Sequence, residues 1–172
     1  KTAREANPDD VGLIITTANI YFELGDKEAF RSSMSEAIEK DPSNPVLYYN
    51  LGVVSADLGE DDAAIGYYKK SIELDPSNED SYLNMVAVIL QGEESIVDEM
   101  NSLGTSRSDN IRYDELKKIR EDLYLQCVPI LKDLVDLNQN IEAVRTLMNI
   151  YGTLGDNQGY MEMKNLRDQL DQ

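Results

Sequence analysis

Residues 48–76 read YYNLGVVSADLGEDDAAIGYYKKSIELDP, from Tyr48 to Pro76. Two short amphipathic helices fit this stretch, with Leu58-Gly59 as the turn between them and Asp75-Pro76 as the stop. Gly52 and Ala64 are small residues where two helices must come close, and the spacing predicts that Ala64 faces Gly52. Tyr48, Tyr68 and Ser71 complete the set of regularly placed positions.

The pattern repeats along the chain. Pro8, Pro42 and Pro76 are spaced 34 residues apart, and Ala3, Ala37 and Ser71 keep the same register five residues before each proline. Leu24-Gly25 and Leu154-Gly155 repeat the Leu58-Gly59 turn. A fixed period of this length marks a stack of helix pairs, each burying its apolar face on the next. An aromatic, Leu-Gly, Gly, Ala, a second aromatic, a small residue and Pro in this order resemble the tetratricopeptide repeat (TPR). The resemblance implies an all-α solenoid of antiparallel helix pairs wound as a right-handed superhelix, acting by binding other proteins.

The frame divides the chain, read as a single TPR domain, into five parts. Residues 1–8 read as the tail of a preceding repeat's second helix, and the chain is therefore expected to be a piece of a longer array. Repeat 1 spans 9–42, with Asp9 or Asp10 as helix cap. It departs from the family pattern at Thr17 and Phe30, where Leu and Ala are usual, so looser or shifted packing is expected around Phe30. Repeat 2 spans 43–76. Repeat 3 spans 77–140 and is too long. Its first helix opens with Tyr82, Met85, Val86 and Ile89, but the Leu-Gly turn is absent where Gly92 is followed by Glu93-Glu94. The pattern predicts one helix continuing through Ile96, Met100 and Leu103 to a C-cap at Gly104, a polar loop over 105–110, and a second long helix over about 111–137. The apolar stripe of that helix reads Leu116, Ile119, Leu123, Cys127, Ile130, Leu134 and Leu137. Pro129 lies inside it, and a kink near Leu125 is expected. Glu79 to Ile141 is 62 residues against 34 for one period, leaving 28 extra. Shared between two arms, they read as an αα-hairpin inserted at about 92–112. An enlarged penultimate repeat resembles that of some bacterial TPR proteins. Repeat 4 and a C-terminal capping helix span 141–172, the last helix keeping the stripe Tyr160, Met163, Leu166 and Leu170.

Composition narrows the functional classes. A formal net charge of −17 disfavours nucleic acid and anionic membranes and favours neutral or basic partners. The sequence contains no histidine, which removes the commonest metal ligand and the commonest general base. One cysteine, Cys127, excludes an internal disulfide and reads as an inert thiol on an apolar stripe. No apolar run approaches the length of a membrane span. No phosphate loop or metal-ligand cluster is present, so no catalytic residues, metal or cofactor are assigned. The compartment stays open between cytoplasm and periplasm.

The resemblance implies a concave groove lined by the first helix of each repeat. Carried over position by position, its residues are Ile15, Asn19 and Phe22 from repeat 1, with Glu23 beside them. Repeat 2 supplies Tyr49, Val53 and Asp57, with Ala56. Repeat 3 supplies Leu83, Ala87 and Leu90, with Gln91, and repeat 4 supplies Asn149 with Arg145. Such a surface is apolar with an acidic edge and suits a peptide or helix with apolar anchors beside Lys or Arg. Some TPR domains grip acidic chaperone tails with Lys, Asn, Asn, Lys and Arg. The corresponding positions here are Ile15, Asn19, Asn50, Asp80 and Asn84. Both early Asn remain and all three cations are missing, so an acidic chaperone tail is not the expected ligand.

The inserted hairpin is the other surface of interest. Glu93, Glu94, Asp98 and Glu99 lie on its first arm, and Arg107, Arg112, Lys117, Lys118 and Arg120 supply five of the chain's 16 cations to the tip and second arm. Charges of opposite sign on antiparallel arms are expected to face each other. Most of the ten tyrosines fall in repeat frame (Tyr21, Tyr48, Tyr68, Tyr82, Tyr151) and read as packing residues. The leading function is thus a non-catalytic protein-interaction module. The alternative is a structural module that self-associates or packs on its own chain through the hairpin or the solenoid ends.

Overall fold

In a computed structural model, residues 3–171 are described, and they form helices with turns between them. Lys1 and Thr2, part of the stretch read as the tail of a preceding repeat, lie outside the described residues, as does Gln172. The helices are α1 (Ala3–Ala6), α2 (Val11–Glu23), α3 (Lys27–Lys40), α4 (Pro45–Asp57), α5 (Asp61–Leu74), α6 (Glu79–Leu90), α7 (Glu93–Ser102), α8 (Arg107–Asn138), α9 (Ile141–Leu154) and α10 (Asn157–Leu170). The chain divides into two compact units, Lys1–Met85 and Val86–Gln172, with the boundary inside α6.

Local chemistry sets the helix ends. Asp10, rather than Asp9, accepts a bond from the Leu13 amide, Asp26 caps Ala29, and Asn44 caps Val46 with Pro45 just inside the helix. Such caps satisfy amides that have no partner within the helix. At the Leu-Gly turns, Gly25, Gly59 and Gly155 adopt φ of 75°, 73° and 75°. This left-handed conformation lets the chain reverse within a few residues, and only glycine adopts it without a Cβ penalty.

In the first unit, α2/α3 and α4/α5 are the two helix pairs, and α3 packs on α4. Ile14, Ala18, Phe30, Met34, Ala37, Leu47, Leu51 and Val54 form one continuous core. Gly52 does face a close neighbour, but the ring of Tyr68 fills that place instead of the expected Ala64. A Cβ on Gly52 would meet Tyr68 Cε1 at 2.6 Å. A long side chain on a helix leans towards its own N-terminus, so the ring reaches back across α5 to the glycine. Tyr68 and Tyr82 are buried, whereas Tyr21, Tyr48 and Tyr151 are only partly so. Ser71 and Ser81, both fully buried, satisfy one another through an Oγ–Oγ hydrogen bond of 3.0 Å.

In the second unit the continuous helix expected across Gly92 is interrupted. Residues 91 and 92 form a turn, and Gly92 has φ −86°, a right-handed value unlike the other inter-helix glycines. The chain therefore re-enters a new helix, α7, without the Leu-Gly reversal. The C-cap of α7 is Leu103 in extended conformation, not Gly104. The expected polar loop is shorter, because α8 starts at Arg107. Ser106 accepts from the Asp109 amide while the Asp109 carboxylate accepts from the Ser106 amide, and this reciprocal box nucleates the helix four residues early.

α8 runs 32 residues, against 14 for α3 or α5, and continues through Pro129. It packs on both α7 and α9. Glu93 pairs with Arg120 at 2.7 Å and Glu99 with Arg112 at 2.7 Å, so the two helices lie antiparallel with opposite charges facing. The buried side of α8 is Leu116, Tyr124, Cys127, Leu131, Leu134 and Val135. Ile119 and Leu137, expected on it, are exposed. The buried side is rotated about the helix axis towards Tyr124, Leu131 and Val135, which leaves those two at its edge. On α10, Met163 is buried, Tyr160 and Leu166 are partly buried, and Leu170 is exposed.

Candidate functional site

A concave apolar feature of the first unit lies between α2 and α4. Asn19, Phe22, Phe30, Asn50, Val53 and Val54 line a cleft of about 180 Å³. Its floor comes from the position where the repeat pattern is broken. Phe30 is 3% exposed, and its ring meets Phe22 at 5.5 Å between centroids with a 55° tilt, a favourable aromatic geometry. Phe22 itself is 48% exposed, so this pair is buried at one end and open at the other. Asn19 is exposed and Asn50 partly buried, placing two amide side chains, each able to donate and accept, at the same cleft.

A second cluster adjoins it through α4. The Asn84 amide of α6 donates to the Tyr49 hydroxyl at 3.2 Å, and the Tyr49 ring lies 6.1 Å from Tyr68. Burial, the largest cause, pushes the Tyr68 hydroxyl up to about 12, followed by the nearby Tyr49. The Tyr68 phenol therefore stays neutral and packs against the Tyr49 ring.

The structure places the expected groove residues as follows. Ile15 is partly buried against the core of the first unit, and Asn19, Phe22 and Val53 meet at the cleft. Tyr49 and Leu83 are partly buried. Asp57 is exposed and forms a 2.5 Å pair with Lys27, so part of the acidic edge is neutralised. Ala87 and Leu90 belong to the second unit, as does Asn149, which is exposed on α9. The positions corresponding to a cationic clamp hold Ile15, exposed Asp80, and an Asn84 already engaged with Tyr49. Phe30 and Val54 were absent from the expected set. The available signal was that Phe22 and Phe30 are the chain's only phenylalanines, eight residues apart across a tight turn.

Among the described residues, ten cations pair with carboxylates within 4.0 Å, counting each of Arg4, Lys27, Arg31, Lys40, Lys70, Arg112, Lys117, Arg120, Arg145 and Arg167 once. With 33 acidic residues in the sequence, the surplus charge is carboxylate. No group of three or more potential metal ligands occurs among the described residues. No described helix is long and apolar enough to cross a membrane. Cys127 is fully buried, and burial, followed by the Glu93 charge, pushes its thiol up to about 12.

Helix pairs on a 34-residue period, joined by left-handed Leu-Gly turns, define an all-α repeat protein. The chain carries tetratricopeptide repeats: two tetratricopeptide repeat family models match it, one over residues 16–44 and one over 45–78. No curated protein matches the sequence. Among solved structures, one described as MamA is similar at 15% identity, covering 96% of this chain and 81% of that one, with a TM-score of 0.62. The first TPR of Spaghetti (RPAP3), bound to the HSP90 peptide SRMEEVD, is similar at 18% identity over 84% of this chain and 95% of that one, with a TM-score of 0.52. At these identities the likeness concerns the fold.

Proposed function

We propose that this chain is a non-catalytic interaction module whose first unit receives a peptide or helix at the α2–α4 cleft, with Tyr49 and Leu83 extending the contact surface. The observation that carries this reading is the half-open Phe22–Phe30 pair beneath Asn19 and Asn50. An apolar floor rewards one buried side chain of the ligand, while amides at the cleft can hold its main chain. Asp80 and the surplus carboxylates favour Lys or Arg flanking the anchor and oppose an acidic tail. Ala87, Leu90 and Asn149 belong to the second unit. The α7–α8 pair, at 32 residues in its longer helix, supports the reading of an enlarged penultimate repeat forming a hairpin.

Peptide display against the immobilised chain tests the proposal. Enriched sequences should carry a large apolar residue next to Lys or Arg. Their affinity, read by fluorescence anisotropy, should drop at least about tenfold for a folded Tyr49→Ala, Leu83→Ala variant. Unchanged affinity would refute recognition on this surface.

A further inference from the structure

Tyr49 is held at two points inside the first unit. Behind its ring stands Tyr68, buried and wedged against Gly52, with 6.1 Å between the ring centroids. At its tip the Asn84 amide of α6 donates to the hydroxyl oxygen at 3.2 Å. A hydroxyl has one proton to give and accepts through its lone pairs, so a donor on the oxygen turns the O–H bond away from itself. A hydroxyl that already accepts is also the better donor. Among the described residues no hydrogen bond takes the Tyr49 proton, whereas the neighbouring Tyr48 hydroxyl donates to the Pro42 carbonyl at 3.1 Å. Tyr49 is partly buried and shares one side of α4 with Val53, four residues on, which lines the cleft.

We propose that Tyr49 makes the polar contact to the docked peptide by donating this proton to one of its main-chain carbonyls, and that Asn84 is the positioning residue that aims it. The inference rests on the reading of the α2–α4 cleft, with its Tyr49 and Leu83 extension, as a docking site. Where a cationic clamp would hold a carboxylate, position 84 carries an uncharged amide that engages Tyr49 instead. Asp80, exposed four residues earlier on the same side of α6, repels a carboxylate there. A main-chain carbonyl accepts the proton without bringing a charge, and every residue of a peptide carries one. The cleft then recognises one apolar side chain and Tyr49 the main chain beside it, so the two contacts together fix the register of the peptide.

The probe is the fluorescein-labelled peptide most enriched by display, with binding to the whole chain followed by fluorescence anisotropy. Tyr49→Phe removes only the hydroxyl and should weaken binding about three- to tenfold. Asn84→Asp keeps the shape of the side chain but turns a donor into an acceptor. It draws the Tyr49 proton to itself and should weaken binding at least as much as Tyr49→Phe, yet add nothing further in the Tyr49→Phe background. A peptide series in which each main-chain amide is replaced in turn by an ester, a weaker acceptor, should contain one position whose replacement lowers affinity for the wild-type chain and not for Tyr49→Phe. Should Asn84→Asp fail to fold, the ester series decides alone, because it leaves position 84 untouched. Equal affinity of the wild-type chain and Tyr49→Phe, equal losses from Asn84→Asp in both backgrounds, or an ester series blind to Tyr49→Phe overturns the inference. If Tyr49→Ala, Leu83→Ala still weakens binding in that case, only the role of the hydroxyl has failed. If it does not, or if display enriches no peptide, the docking site itself has failed and the inference with it.

Discussion

Replacing Gly52 with alanine sets two opposed effects against each other, and the structure decides between them. Alanine in the middle of a helix is favoured over glycine by about 1 kcal/mol, because the unfolded chain loses less freedom. A Cβ at position 52, however, would lie 2.6 Å and 2.7 Å from Tyr68 Cε1 and Cδ1, and 3.0 Å from Cζ. Carbon atoms pack at about 3.5–4.0 Å, so the ring must retreat by roughly 1 Å. It has nowhere free to go, since Tyr68 is 2% exposed. Overpacking of this kind costs about 1–3 kcal/mol. Gly66 provides the internal control, as it is also mid-helix and a Cβ there meets nothing within 4 Å. Gly66→Ala should stabilise by up to about 1 kcal/mol. The difference between the two variants isolates the packing effect and should be about 1–3 kcal/mol. Urea unfolding followed by far-UV circular dichroism measures both. Equal stability of Gly52→Ala and Gly66→Ala would refute the placement of Tyr68 and with it the helix register of the α4/α5 pair.

Three further outcomes are expected. Gln139 holds φ 56° at the C-terminus of α8, a left-handed conformation costly for a side-chain-bearing residue, so Gln139→Gly should raise stability by about 0.5–1 kcal/mol in the same assay. Cys127 should resist iodoacetamide in the folded chain and react once per chain under denaturant, because its buried thiol has few thiolate molecules at neutral pH. Hydrogen bonding from Arg112, then its charge, holds the Glu99 carboxyl below its usual value of 4.5. A depressed folded-state value means that this pair contributes stability above that pH and loses it as pH falls through the lowered value. The Glu99 side-chain carboxyl titration, followed by NMR, should therefore move up towards 4.5 in Arg112→Ala.

The fold was legible where local chemistry dictates backbone conformation. Leu24-Gly25, Leu58-Gly59 and Leu154-Gly155 demand the same left-handed turn, and with the proline spacing they set the helix pairs. What the turn signals did not carry was which side chain crosses to which. Gly52 and Ala64 both marked a close approach, but the reach of Tyr68 along its helix decided the partner. The break at Gly92 was hidden because Ile96, Met100 and Leu103 continue a helical rhythm on either side of one weak glycine. On α8, apolar residues outnumber the positions that one face can bury, so the steps of three and four could not tell Ile119 from Tyr124. The cleft was half legible. Asn19, Phe22 and Val53 follow from repeat position alone, whereas Phe30 belongs to it through a departure from the pattern that only the ring contact explains.

The claim that the first unit is a docking surface is tested most directly by mapping backbone amide shifts while a display-selected peptide is titrated into the isotope-labelled chain. The largest changes should fall on Asn19, Phe22, Asn50 and Val53, spreading to Tyr49 and Leu83, with Phe30 responding through its contact with Phe22. Changes confined to the polar concavity bounded by Lys132, Asp136, Glu162 and Leu166 in the second unit, with the α2–α4 cleft silent, would contradict it.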